Sequence, residues 1–282
     1  MSNYYCLVAG LPDLSLEDNS IQDSIQLFRD NEFPNLARQD KDCVSLFFLK
    51  YDNANLINML SDPCTESFDS RGLLSREELE NLISAVENHE DKPDNIPAYM
   101  WDFVESELIS GFDDDTPCYL LREDTLSSMY YRQAMSSKKH FVADWFEFNL
   151  NVNNILTALT ARRFNFDATS YLVGENDIVK HLKNTMAPDF GLSREISYIN
   201  DLVSISQETD PATKERRIDR LKWDWIENES IKYNFSIEVI FSYLIKLDMV
   251  DRWMKLDAER GENLLRNLIA NIKGRVAVPV EK

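Results

Sequence analysis

At 282 residues and 44% hydrophobic content, the chain can bury one large core or two to three smaller ones, which excludes a disordered polymer. Its 49 Asp and Glu against 30 Lys and Arg give a formal net charge of −19, a field that repels phosphate backbones and excludes nucleic acid as a natural partner. Only 7 Gly and 9 Pro leave too little turn punctuation for a β-sandwich or barrel, so the expectation is an all-α fold.

In chain order, the opening YYCLVAGL (Tyr4 to Leu11) reads as a short extended piece. It has no basic residues ahead of its apolar run, so no secretory leader is expected. Periodicity of 3.6 residues then predicts helices over Ile21 to Asn31, Asp40 to Leu60, Ser75 to Asn88, Pro97 to Ser110, Pro117 to Ser137 and Lys138 to Phe164. Ser75 and Glu78 have capping-box spacing. NHEDKPDNIP (Asn88 to Pro97) and FDDDTP (Phe112 to Pro117) are polar breaks. Further helices are expected over Asp177 to Met186, Arg194 to Gln207, Asp210 to Lys232, Ser236 to Arg260 and Glu262 to Lys273, with RVAVPV as a second extended piece at the tail.

The one basic concentration, KERRIDRLKWDW (Lys214 to Trp225), reads as a solvated helix face rich in ion pairs or, alternatively, as a docking patch for an acidic partner. Cys6, Cys43, Cys64 and Cys118 make no C-x-x-C pair, which suits reduced thiols and a cytoplasmic setting. No stretch approaches the ~18 consecutive apolar residues of a membrane span. Any membrane association is then expected through partner subunits.

Three windows align without a gap: LFFLKYDNANLINML (Leu46 to Leu60), WFEFNLNVNNILTAL (Trp145 to Leu159) and SYLIKLDMVDRWMKL (Ser242 to Leu256). An Asp or Asn pair at i and i+3 recurs in each: Asp52 with Asn55, Asn151 with Asn154, and Asp248 with Asp251, spaced 99 and then 97 residues apart. This predicts three related helical modules, over 1–100, 101–195 and 196–282. An apolar stripe in steps of 3 and 4 accompanies each pair; in the second copy it is Trp145, Phe148, Val152, Ile155 and Leu159. Asn151 and Asn154 sit roughly 110° around the helix from that stripe, with Phe146 and Leu150 on a third side. Two readings fit: amides that bond across to a neighbouring helix inside a bundle, or a water-facing flank. Neither makes them catalytic.

The pattern of an acid or amide, Asn three positions on, an aliphatic residue and a later Arg, here Asn151, Asn154, Ile155 and Arg162, resembles the C-type (eukaryotic d-type) central-stalk subunit of V-type and A-type rotary ATPases. Phe235 to Ile269 is similar to that family's closing segment, although Asp251 and Arg252 replace its Asn and aliphatic residue. The opening NYYCLVAGLPDLSLED with LKYDNANLINML is similar to a bacterial family found alongside V-type ATPase genes. The resemblance implies an all-helical, pseudo-threefold funnel. Its hollow would receive the tip of the rotating shaft while its wide end rests on the membrane proteolipid ring. Such a protein is a non-catalytic part of the central stalk with no cofactor, cytoplasmic and peripheral to the inner membrane, with shaft and ring subunits as partners.

Two other readings stand beside it. Asn200, Ser204 and Glu208 in NDLVSISQE, at i, i+4 and i+8, satisfy the Mg²⁺ pattern of class I terpene cyclases, whose oxygen ligands suit a metal-bound diphosphate. Such enzymes also need a D-D-x-x-D/E cluster, and Asp113 to Asp115 are followed by Thr116 and Pro117. The other reading is a free-standing acidic helical adaptor. His89, His140 and His181 are far apart, and no G-x-S-x-G, G-x-x-x-x-G-K-[ST] or G-x-G-x-x-G occurs, so neither a zinc site nor the common hydrolase and nucleotide signatures are expected.

Overall fold

A computed structural model describes residues 4–18, 20–110, 118–185 and 187–256, with the side chains of 109–110 and 118–121 left aside. Among the described residues the fold is all-α. The helices are α1 (Tyr5–Gly10), α2 (Ile25–Asn31), α3 (Arg38–Ser61), α4 (Arg76–Glu87), α5 (Ala98–Ser110), α6 (Cys118–Met135), α7 (His140–Phe164), α8 (Asp177–Asn184), α9 (Ile199–Ser206), α10 (Pro211–Ser230) and α11 (Ile237–Lys255).

Side-chain caps mark the starts of four helices, α2, α4, α8 and α10. Ser75 caps α4 in a complete capping box, receiving the Glu78 amide at 3.2 Å while Glu78 Oε2 accepts the Ser75 amide at 2.7 Å. Asp210 caps α10 ahead of Pro211, and the Asn176 side chain caps α8. Asn165, left-handed at φ 57°, ends α7.

Three expectations change. Tyr4 to Leu11 is not extended: it forms the short helix α1, because its apolar residues find a helical surface to lie on rather than a strand to pair with. The helix expected from Ile21 begins at Ile25, where Ser24 accepts the Leu27 amide. The one expected from Arg194 begins at Ile199 after a string of turns. Glu262 to Lys273, RVAVPV and FDDDTP lie outside the described residues.

Five helices form a closed circuit in which each packs on the next: α3 on α6, α6 on α7, α7 on α10, α10 on α11, and α11 back on α3. The 24-residue α3, the 25-residue α7 and α11 start side by side. Lys139, at the head of α7, reaches Asp40 in the first turn of α3 (3.2 Å) and Glu238 in the first turn of α11 (3.6 Å). The predicted stripe of α7 is buried from Trp145 to Ile155 and half-buried at Leu159, and Phe148 stacks flat on Trp225 of α10 at 4.8 Å. Phe241 of α11 is fully buried and meets Phe47 of α3 and Phe141 and Phe146 of α7 through its ring. Phe241→Ala therefore empties the point where three long helices meet. It is expected to lower unfolding free energy by about 3–5 kcal/mol in a urea titration.

Candidate functional site

The second member of each pair is built alike in the first two copies, while the first member bonds differently. On α3, the Asn55 amide closes a two-way bond with the backbone of Asp69, accepting its N–H at 2.8 Å and donating to its carbonyl at 2.9 Å. Asp52, one turn earlier, accepts the N–H groups of Leu73 and Leu74, both at 3.0 Å. On α7, Asn154 makes the same two-way bond with Val173 (2.9 and 2.8 Å), and Asn151 accepts from the capping Asn176 at 2.7 Å. In both copies the clamped loop leads straight into the N-cap of the next helix, Ser75 or Asn176.

All four side chains are buried, so the water-facing flank is excluded. Each pair bonds the loop that follows its helix, where the chain turning back brings unpaired backbone groups close, and Asn151 also bonds the Tyr198 side chain at the start of α9. Both loops carry a glycine. A Cβ on Gly72 would collide with Asp52 Oδ1, and Gly174 follows Val173 at φ +81°. Arg162 adds a second fastening in the α7 copy, donating to the carbonyls of Thr185 and Ala187 while stacking on Phe190.

The third pair has another task. Asp248 accepts from Lys50 and from the Tyr51 hydroxyl (2.6 Å), and Asp251 holds Arg71 at 3.2 Å. Arg71 lies in the loop clamped by Asp52 and Asn55, is forked onto Asp69 at 2.6 Å and stacks on Tyr51. Asp248 and Asp251 thus fasten the end of the circuit to its beginning. Burial works against the Asp248 charge, but Lys50, Tyr51 and Arg71 outweigh it and hold the carboxyl below its ordinary range.

The five-helix circuit surrounds a cavity of about 1010 Å³. Its wall includes the aromatic rings of Phe47, Tyr130, Tyr131, Trp145, Phe146 and Phe241. Asn149 and Asn153 of α7 face it, Asn149 donating to the Tyr131 hydroxyl (2.7 Å) and Asn153 accepting from Lys222 (3.3 Å). The four asparagines of α7 therefore divide their work between loop and cavity.

Four cations line the hollow: Lys50, Lys214, Lys222 and Arg252. Lys50 pairs with Asp248, and Arg252 with Asp219 and Glu215, where Trp253 also donates to Asp219 at 2.6 Å. Among the described residues Lys214 and Lys222 have no carboxylate within 4 Å. Lys222 is half-exposed to the cavity yet lies inside the protein envelope. Burial, only partly offset by Asp219, pulls its ammonium down to about 8. Across the hollow, burial followed by the charge of Glu123 raises the Asp124 carboxyl. A second cavity of about 410 Å³ adjoins, sharing Lys50, Tyr130 and Tyr131.

The basic run splits by helical face: Arg216 and Arg220 reach Glu17 on the outside at 3.0 and 2.8 Å, while Lys214, Ile218 and Lys222 line the hollow. Sequence periodicity could have separated these faces, but not shown which one met a cavity. Asn200 and Ser204 are exposed on the outer face of α9, Glu208 falls beyond its end, and Arg217 binds Ser204 at 2.8 Å and Glu208 at 3.7 Å. The structure does not bring them to either cavity. Asp113 to Asp115 lie outside the described residues. Among the described residues there is no cluster of three or more His, Cys, Asp or Glu suited to a metal, and no helix is long and apolar enough to cross a membrane.

The architecture is that of a closed helical circuit with clamped loops and a charged central cavity. The family model for proteins of unknown function (DUF2764) matches residues 1–276, and the chain belongs to that family. No curated protein matches it, and neither does any solved structure.

Two measurements probe the clamps. Asn55→Ala and Asn154→Ala each strand a buried backbone N–H and carbonyl, and each is expected to cost about 1–3 kcal/mol in chemical denaturation. The clamps share no partner, so the double variant should lose the sum. Asp52 supplies the second. Burial pushes its carboxyl up to about 6 against the bonds from Leu73 and Leu74. The folded state thus holds a proton more tightly than the unfolded chain, and stability from this group grows as pH falls from about 6 towards 4. Asp52→Asn should lack that gain, so wild-type stability rises relative to the variant's as pH falls from about 6 to 4 in parallel urea titrations.

Proposed function

We propose that this protein is a non-catalytic central-stalk subunit of a V/A-type rotary ATPase, a socket that couples the rotating shaft to the membrane proteolipid ring. The observation that carries the reading is the recurrence, 99 residues apart, of one device: an i, i+3 polar pair on a long helix that clamps the backbone of the following loop at Asn55 and Asn154. That recurrence supports related modules. The junction at Lys139, where α3, α7 and α11 start together, supports an arrangement of three such units about a shared axis, and the cavity ringed by all five circuit helices supports a funnel with a hollow.

The physical character suits mechanical transmission. Torque passed through a soft protein would be lost in bending, whereas close-packed helices tied by buried hydrogen bonds deform little. Most cavity charges are matched to one another, Lys50 to Asp248 and Arg252 to Asp219, which suits a fixed wall better than a catalytic centre. In this reading the protein is cytoplasmic and reaches the inner membrane only through its partners. The free-standing adaptor shares these features but predicts no motor partner.

Affinity purification of the tagged protein from its native host in mild detergent decides between them. Shaft and proteolipid-ring subunits of a V/A-type ATPase are expected in the eluate, and their absence would overturn the proposal.

A further inference from the structure

The hollow is not chemically even. In a chain of net charge −19, the cavity cations without a carboxylate within 4 Å among the described residues, Lys214 and Lys222, both lie on α10, whose cavity face also carries Glu215 and Asp219, each taken up by Arg252. Lys214, Ile218 and Lys222 follow at intervals of four and so share one helical face, the two ammonium stems about 12 Å apart along the axis. Their neighbours Arg216, Arg217 and Arg220 are turned outward and matched to Glu17, Ser204 and Glu208. The unmatched cations are the ones that face the cavity. Buried charge left without a counterion is costly, and an entering carboxylate relieves that cost.

A second feature indicates what kind of body enters. Phe166 and Tyr171, edge to face at 5.6 Å, line the cavity yet stay 45% and 49% exposed, and Phe164 beside them is 67% exposed. They make an apolar lip that continues out of the hollow. A small ligand sitting inside would leave this lip wet, whereas a protein segment passing the mouth would cover it. The cavity volume of about 1010 Å³ is at the upper limit of ordinary small-molecule pockets.

We infer that Lys214 and Lys222, set behind the aromatic lip of Phe166 and Tyr171, are the seat for carboxylates on the tip of the shaft segment that enters the hollow. This rests on the socket reading above and specifies the partner: a chain end with apolar residues at the level of the mouth and acidic side chains, or a terminal carboxylate, beyond them. The acidic exterior and the two unmatched lysines then act together. An acidic tip is repelled over most of the surface and accepted only where the two lysines wait, which gives register as well as affinity.

The test uses the intact protein as bait in the same native-host purification. The baits are wild type, the double variant Lys214→Gln/Lys222→Gln, and Lys232→Gln as an exposed control, with matching thermal melts required of all three. The expected result is that the double variant retains the ring subunits but recovers at least tenfold less shaft subunit, while Lys232→Gln behaves as wild type. Lys222→Glu should lose the shaft likewise and regain it when one acidic residue of the shaft tip is exchanged for Lys. Equal shaft recovery by wild type and the double variant overturns the lysine seat and leaves the socket standing. Loss of ring and shaft together also overturns the seat, and recovery of neither by wild type overturns both.

Discussion

Backbone groups that turn inward must find partners, and in this protein two turns of one helix supply them. A chain that leaves a long helix and folds back over its flank brings buried N–H and carbonyl groups against side chains that cannot be apolar. An amide three residues from a carboxyl or another amide answers that demand: one side chain closes a ring with a single peptide unit, and the other takes backbone amides ahead of the next helix cap (Asp52) or the cap's own side-chain amide (Asn151). Asp52 and Asn55 do this over residues 69–74, and Asn151 and Asn154 over 173–176. Because each loop is fixed, so is the start of the short helix after it. The outer helices α4 and α8 are thereby positioned by polar bonds as well as by the burial of their apolar faces.

The same positions serve a different end in α11. With carboxylates at both positions, Asp251 standing where the earlier copies have Asn55 and Asn154, the pair seeks cations and finds them on α3 and in the first clamped loop. The exchange is chemically sensible. An asparagine offers a donor and an acceptor that suit a peptide unit, whereas a carboxylate offers acceptors alone and suits a forked guanidinium. Arg71 consequently stands between two sets of bonds, its loop held by α3 and its side chain by α11.

Much of this is legible in the sequence. The apolar stripe of α7, the capping box at Ser75, the start of α10 at Asp210 and the equivalence of the Asp and Asn pairs rest on short-range periodicity and spacing, which a single strand of text preserves. The partners of the pairs are not legible, since a loop that returns after 14 residues in one copy and 19 in the other shares no spacing. Tyr4 to Leu11 defeats pattern reading because a helix of six residues is too short to be told from a strand, and tertiary packing decides. The divided role of Lys214 to Trp225 stays hidden for a related reason: helical periodicity shows that two faces differ, but not that one looks onto a hollow.

The bonds between Lys50 and Asp248 and between Arg71 and Asp251 join residues 198 and 180 positions apart in the chain. During synthesis, α3 and its clamped loop leave the ribosome long before their counterparts exist. Until α11 has emerged the nascent protein is a horseshoe, with the Phe47 and Phe146 side of its interior open to water and to chance partners. Closure of the ring is consequently a late event that no amount of early helix formation can hasten, and a message cut short before α11 yields an open clasp with its sticky inner face uncovered.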